Sequence, residues 1–105
     1  MKVYKKKIRK ILVGNHTFLY TIIEDDEFII LRCYSNKSSY LEVCLGWGRL
    51  THDTNAYKPK VVSLFIEYAL KKGWNYSSSN QIYKISANDV EAVLKELGID
   101  LLSHL

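Results

Sequence analysis

The residue types that could do chemistry are few and scattered. His52-Asp53 is the one neighbouring histidine–acid pair in the 105 residues. A catalytic base needs an orienting partner and a nucleophile within hydrogen-bond reach, and residues adjacent in sequence rarely orient each other that way. Ser63 falls on the polar side of a predicted helix. Ser77, Ser78 and Ser79 sit in a polar loop with no helix or strand to hold them. No glycine-rich phosphate loop, nucleophile elbow or paired-carboxylate pattern is present. The expectation is a chain that is not an enzyme and carries no cofactor.

Metal chemistry is no better supplied. "EDDE", Glu24 to Glu27, gathers four carboxylates, but four adjacent acids at a hairpin tip cannot all turn inward, and EF-hand spacing is missing. A solvated turn is the expected role. Cys33 and Cys44 lack the paired spacing of a zinc site. They are too few for a disulfide scaffold. His16, His52 and His104 are widely separated.

Two binding chemistries remain. The first is cationic: Lys2, Lys5, Lys6, Lys7, Arg9 and Lys10 are six of the fifteen basic residues. The remaining 95 residues hold nine basic and eleven acidic groups, so the net charge of +4 belongs to the first segment. Lys5, Lys6, Lys7, Arg9 and Lys10 could neutralise phosphates of a nucleic acid. Lysines on an edge strand also block aggregation. The second chemistry is aromatic. Eight tyrosines and two tryptophans are present. Tyr34, Tyr40, Tyr57 and Tyr76 fall at turns and loops, and such residues are enriched at protein interfaces. Arg32 shares a strand with Tyr34. These five are the candidate protein-binding residues.

The elements that must position them can be read from patterning. Hydrophobic residues make up 48% and charged residues 25%, the balance of one ordinary globular domain spanning 1–105. No apolar run reaches the roughly 20 residues of a membrane helix. The basic start has no signal-peptide core behind it, so a cytoplasmic chain is expected. Gly14-Asn15, "EDDE" and "SNKSS" are turn signals between segments rich in β-branched and aromatic residues. They predict a four-stranded antiparallel meander over residues 2–48.

A two-residue turn at Asp25-Asp26 places Phe18, Tyr20 and Ile22 opposite Cys33, Leu31 and Ile29. A five-residue turn at 35–39 then places those opposite Leu41, Val43 and Leu45, giving one continuous apolar face. In the first strand either Ile11 and Val13 or Ile8 and Leu12 join it. The opposite face is mixed: Leu19, Thr21, Ile23, Phe28, Ile30, Arg32, Tyr40, Glu42 and Cys44. Cys33 and Cys44 fall on different faces, so no disulfide is expected between them.

A helix follows from Pro59, with Gly73 as its C-terminal cap. Its polar residues Lys60, Ser63, Glu67 and Lys71 crowd into about 80° of the helical wheel. The apolar arc is too wide for one sheet face alone. The second helix, the loop around Trp47, the short strand "QIYKI" or a second protomer could cover the rest. The second helix lies in "SANDVEAVLKEL", with Ser86 as N-cap, Asp89 three residues on, and Val90, Val93, Leu94 and Leu97 as its stripe. The fold class is α+β: meander, central buried helix, short strand, C-terminal capping helix.

The helical segment Pro59, Val62, Ile66, Ala69-Leu70, Gly73-Trp74, followed by a short strand, resembles a pattern of small, largely uncharacterised bacterial proteins. Their helix has the form P-x-x-V-x-x-x-I-x-x-A-L-x-x-G-W after a β-meander. Some are similar to immunity proteins of toxin systems, which bind and block a cognate toxin. The resemblance implies the fold and a protein partner. It brings no catalytic or binding residue with it, because its positions are core residues.

Overall fold

The computed structural model describes residues 8–24, 28–46 and 59–98. In chain order the elements are β1 (Arg9–Val13), β2 (His16–Glu24), β3 (Phe28–Tyr34), β4 (Tyr40–Gly46), α1 (Pro59–Lys71), β5 (Ile82–Ile85) and α2 (Val90–Leu97). The fold is α+β, and the first four strands form the antiparallel meander that alternation predicts. β5 extends it to a five-stranded mixed sheet of order β1-β2-β3-β4-β5.

The first hairpin closes through Gly14-Asn15, with Val13 opposite His16. Gly14 sits at φ 61°, the left-handed conformation that a two-residue hairpin loop needs at its first position. This register places Ile11 and Val13, opposite Phe18 and His16, on the inner face. Ile8 and Leu12 are left exposed.

The β2–β3 register differs from the expected one. Tyr20 faces Cys33 and Ile22 faces Leu31, a slip of two residues from a tight turn at Asp25-Asp26. The reason is that side chains alternate with period two. A two-residue slip keeps every side chain on its own face, so the apolar pattern fixes the face and not the pairing. The tip, residues 25–27, lies outside the described residues. The β3–β4 pairing is as expected, with Cys33 opposite Leu41, Leu31 opposite Val43 and Ile29 opposite Leu45.

"QIYKI" corrects the expectation more deeply. It is not a strand laid against α1. It runs parallel to β4 inside the sheet, pairing Tyr40 with Ile82 and Val43 with Ile85. Parallel neighbours need a crossover connection, and α1 is that crossover. The Gln81 carbonyl fixes the start of β5 by accepting from the Tyr40 backbone N–H at 3.1 Å and from Trp74 Nε1 at 2.9 Å.

Both helices cover the inner face. α1 comes closest to β1 and α2 to β4. Val62, Phe65, Ile66 and Ala69 of α1 join Phe18, Tyr20, Leu31, Cys33, Leu41, Val43, Ile85, Val90, Val93 and Leu94 in one core. Val61, Leu64, Tyr68 and Leu70 are half-buried at its margins, while Lys60, Glu67 and Lys71 are exposed. Burying a side chain such as Phe65 fully contributes about 1.5–3 kcal/mol. Trp47 lies outside the described residues.

α1 ends in a Schellman motif: Trp74 N–H donates to the Ala69 carbonyl at 3.0 Å and Gly73 N–H to that of Leu70 at 3.2 Å. Gly73 holds φ 101° at this stop, and the buried Trp74 closes the helix end. α2 begins later than expected. Ser86 is not its N-cap. Residues 87–89 form a turn, with the Ser86 carbonyl accepting from the Asp89 and Val90 N–H groups at 3.0 Å and its hydroxyl donating to the Asp89 carboxylate at 3.1 Å. Asp89 occupies the N-cap without a side-chain cap bond, because its carboxylate is turned to Ser86.

A methyl group added at Gly73 meets no atom within 4 Å, so the cost of Gly73→Ala is conformational. The substitution is expected to lower stability by about 1–2 kcal/mol. It should shift the urea midpoint without changing the slope.

Candidate functional site

The five-strand register writes an ordered surface on the outer face. Lys10, Leu19, Tyr34, Tyr40 and Ile82 stand opposite one another in a single row crossing every strand. The next row is Thr21, Arg32, Glu42 and Lys84. Beyond it lie Ile23, Ile30 and Cys44. An aromatic–aliphatic row is thus bordered by a charged one.

Arg32 organises the centre. Its Nε and Nη2 donate to Glu42 Oε1 at 3.1 and 2.7 Å, and its Nη1 donates to the Tyr34 hydroxyl at 3.2 Å. The guanidinium carbon lies 4.7 Å from the centre of the Tyr40 ring, within cation–π range. Burial opposes the Arg32 charge, but the hydrogen bonds to Tyr34 and Glu42 outweigh it, so its pKa is raised above the ordinary value. Glu42 also approaches Lys84 Nζ at 3.8 Å through its other oxygen. Tyr34 and Tyr40 rings meet at 5.3 Å with a tilt of 53°. Two tyrosines are therefore held in fixed orientations by one cation.

The row is open at both ends. Leu19 is 39% and Ile82 50% exposed, and Leu12 beside the row is 68% exposed. Thr21, in the charged row, is buried, and its hydroxyl has no hydrogen-bond partner.

Tyr76 does not join this surface. It is half-buried at the inner face, where its ring lies 5.0 Å from His16, 5.8 Å from Phe18 and 6.3 Å from Trp74. Its loop is stitched to the β3–β4 turn. Ser35 Oγ donates to the Tyr76 carbonyl at 2.7 Å, and Asn36 Nδ2 to the Ser78 carbonyl at 3.2 Å. The fully buried Ser39 donates to the Ser78 carbonyl and accepts from Gln81 N–H at 2.9 Å. Asn80 takes a positive φ of 60°, which asparagine tolerates. His16 Nε2 is 3.0 Å from the Ser35 carbonyl. These serines and Tyr76 hold two loops together so that β5 meets β4 in register.

Of the other candidates, Tyr57, Lys5, Lys6, Lys7 and the His52-Asp53 pair lie outside the described residues. Arg9 and Lys10 are both exposed, but they are consecutive on β1 and point to opposite faces. They do not make one basic patch. Cys33 is on the inner face, and burial pushes its thiol pKa up, which leaves it unreactive. Cys44 is on the outer face, on the other side of the sheet from Cys33. Among the described residues no group of three metal-ligating side chains comes together, and no helix is long and apolar enough to cross a membrane.

Leu19 was readable from alternation as an outer-face residue, but Ile82 and Lys84 were not readable as its companions. The parallel pairing of β5 brings them there, and four residues are too short to announce their neighbour. No family model, curated protein or solved structure matches the chain.

Removing the Ser39 hydroxyl strands the half-buried Gln81 N–H and leaves the Ser78 carbonyl with the Asn36 amide alone. Ser39→Ala is expected to cost about 1–3 kcal/mol. Amide hydrogen exchange at Gln81 and along β5 should quicken more than exchange in β2 and β3.

Proposed function

We propose that the chain is a small cytoplasmic protein-binding domain that presents the outer face of its sheet to a partner. The carrying observation is the row Leu19, Tyr34, Tyr40 and Ile82, exposed at its ends and fixed at its centre by Arg32. Tyrosine offers large contact area with little conformational freedom to lose, and prior fixing of the rings lowers the entropy cost of association. An immunity-type role, binding and blocking a toxin, is the specific form of this reading. It draws on the likeness of the α1 segment to proteins of that kind.

A nucleic-acid role finds less support. Arg9 and Lys10 diverge, Arg32 has its donors engaged by Glu42 and Tyr34, and the Glu42 carboxylate sits in the middle of the face.

Site-specific photo-cross-linking in the native host tests the reading. A photoreactive phenylalanine in place of Leu19 or Tyr40 should give a discrete cross-linked protein. The same probe in place of Lys60, exposed on α1, should give none. Cross-links confined to position 60, or to nucleic acid, would contradict it. If the partner is a toxin, Tyr34→Ala with Tyr40→Ala should abolish protection of cells by the chain.

A further inference from the structure

The outer face carries a charge pattern as well as an aromatic row. Its described charges are Lys10, Arg32 and Lys84 against the single carboxylate of Glu42. Glu42 is already engaged by Arg32 at 2.7 Å, and Lys84 reaches it only at 3.8 Å with its side chain 65% exposed. Lys10 is exposed at the opposite edge. Two cations therefore stand at the two edges of the sheet: Lys10 ends the aromatic row on β1, and Lys84 lies beside its other end, two residues beyond Ile82 in the neighbouring charged row. With strands about 4.8 Å apart, Lys10 on β1 and Lys84 on β5 are about 19 Å apart across the sheet, and Leu19 to Ile82 spans about 14 Å.

Resting on the protein-binding reading above, we propose that the partner of this face is an acidic protein surface. It presents an apolar strip about 14 Å long with carboxylates at both ends. The strip lies along Leu19, Tyr34, Tyr40 and Ile82, and the carboxylates meet Lys10 and Lys84.

A second copy of the chain does not fit. Two copies joined face to face about a two-fold axis set Lys10 against either Lys10 or Lys84 of the other, and like charges in opposition suppress association. Edge-to-edge pairing through β1 brings Arg9 and Lys10 of both copies together. A single-stranded nucleic acid does not fit either. The Arg32 guanidinium lies over the Tyr40 ring, and the 53° tilt between Tyr34 and Tyr40 denies two bases a common stacking platform.

The test pans a displayed random-peptide library on the full chain and measures each enriched peptide by fluorescence anisotropy. The enriched peptides should be net acidic with apolar or aromatic residues between the acids. Lys10→Glu and Lys84→Glu should each weaken binding about 5- to 10-fold, and rising salt should weaken it further. Lys60→Glu on α1 should leave it unchanged. A peptide with its acids exchanged for lysine should recover affinity for the Lys10→Glu, Lys84→Glu double variant. Circular dichroism confirms that each variant is folded.

Basic or neutral winners whose binding is lost on Tyr40→Ala would overturn the acidic partner and leave the protein-binding face standing. Winners indifferent to Lys10, Lys84 and Tyr40, or no enrichment together with no cross-link from position 19 or 40, would overturn both. Tight binding of a single-stranded oligonucleotide that is lost on Tyr34→Ala would overturn the proposal in favour of nucleic acid. A stable dimer in light scattering that Leu19→Asp dissolves would do so in favour of a second copy.

Discussion

The wide apolar arc of α1 has to be taken out of water on one face of a small sheet. Phe65, Val62, Ile66 and Ala69 are fully buried, and half-buried Val61, Leu64, Tyr68 and Leu70 flank them. A single sheet face cannot cover such an arc. The chain covers it by laying α1 nearest β1, returning as β5 beside β4, and setting α2 nearest β4. Both described helices are then on one side. Among the described elements nothing helical stands over the outer face, where Leu19 and Ile82 are exposed and Thr21 is buried.

That asymmetry gives the two groups of tyrosines different work. Tyr20 and Tyr76 sit on the inner side, Tyr20 in the core and Tyr76 against His16, Phe18 and Trp74. Tyr34 and Tyr40 are on the outer side around Arg32. The Arg32–Glu42 pair contributes order more than stability, since partly exposed ion pairs are worth little by themselves. What it does is fix a surface. Two rings and a carboxylate keep one geometry before any partner arrives.

Strand identity and face were legible in the sequence because both depend on a period of two. Alternation places Phe18, Tyr20, Leu31 and Val43 on the apolar face, and they are buried there even though the β2–β3 pairing slips by two residues. The pairing itself depends on loop length at the "EDDE" tip, which alternation does not report. The α1 stop was legible because glycine at φ 101° leaves a mark in sequence. The place of β5 was not, since its four residues carry no signal of a parallel neighbour. Tyr34, Tyr40 and Arg32 were therefore recognisable as surface residues one by one, but their row with Leu19 and Ile82 needed the topology. Tyr76 was misleading: a tyrosine in a serine-rich loop reads as exposed until Trp74 and His16 are found against it.

The inner face of this sheet is buried, while the row Leu19, Tyr34, Tyr40 and Ile82 on the outer face reaches solvent, and hydroxyl-radical footprinting of the free chain reads that difference. Tyr34, Tyr40, Leu19 and Ile82 should oxidise readily while Tyr20, Phe18 and Phe65 stay protected until unfolding. Protection of Tyr34 and Tyr40 equal to that of Tyr20 in the free chain would contradict the account.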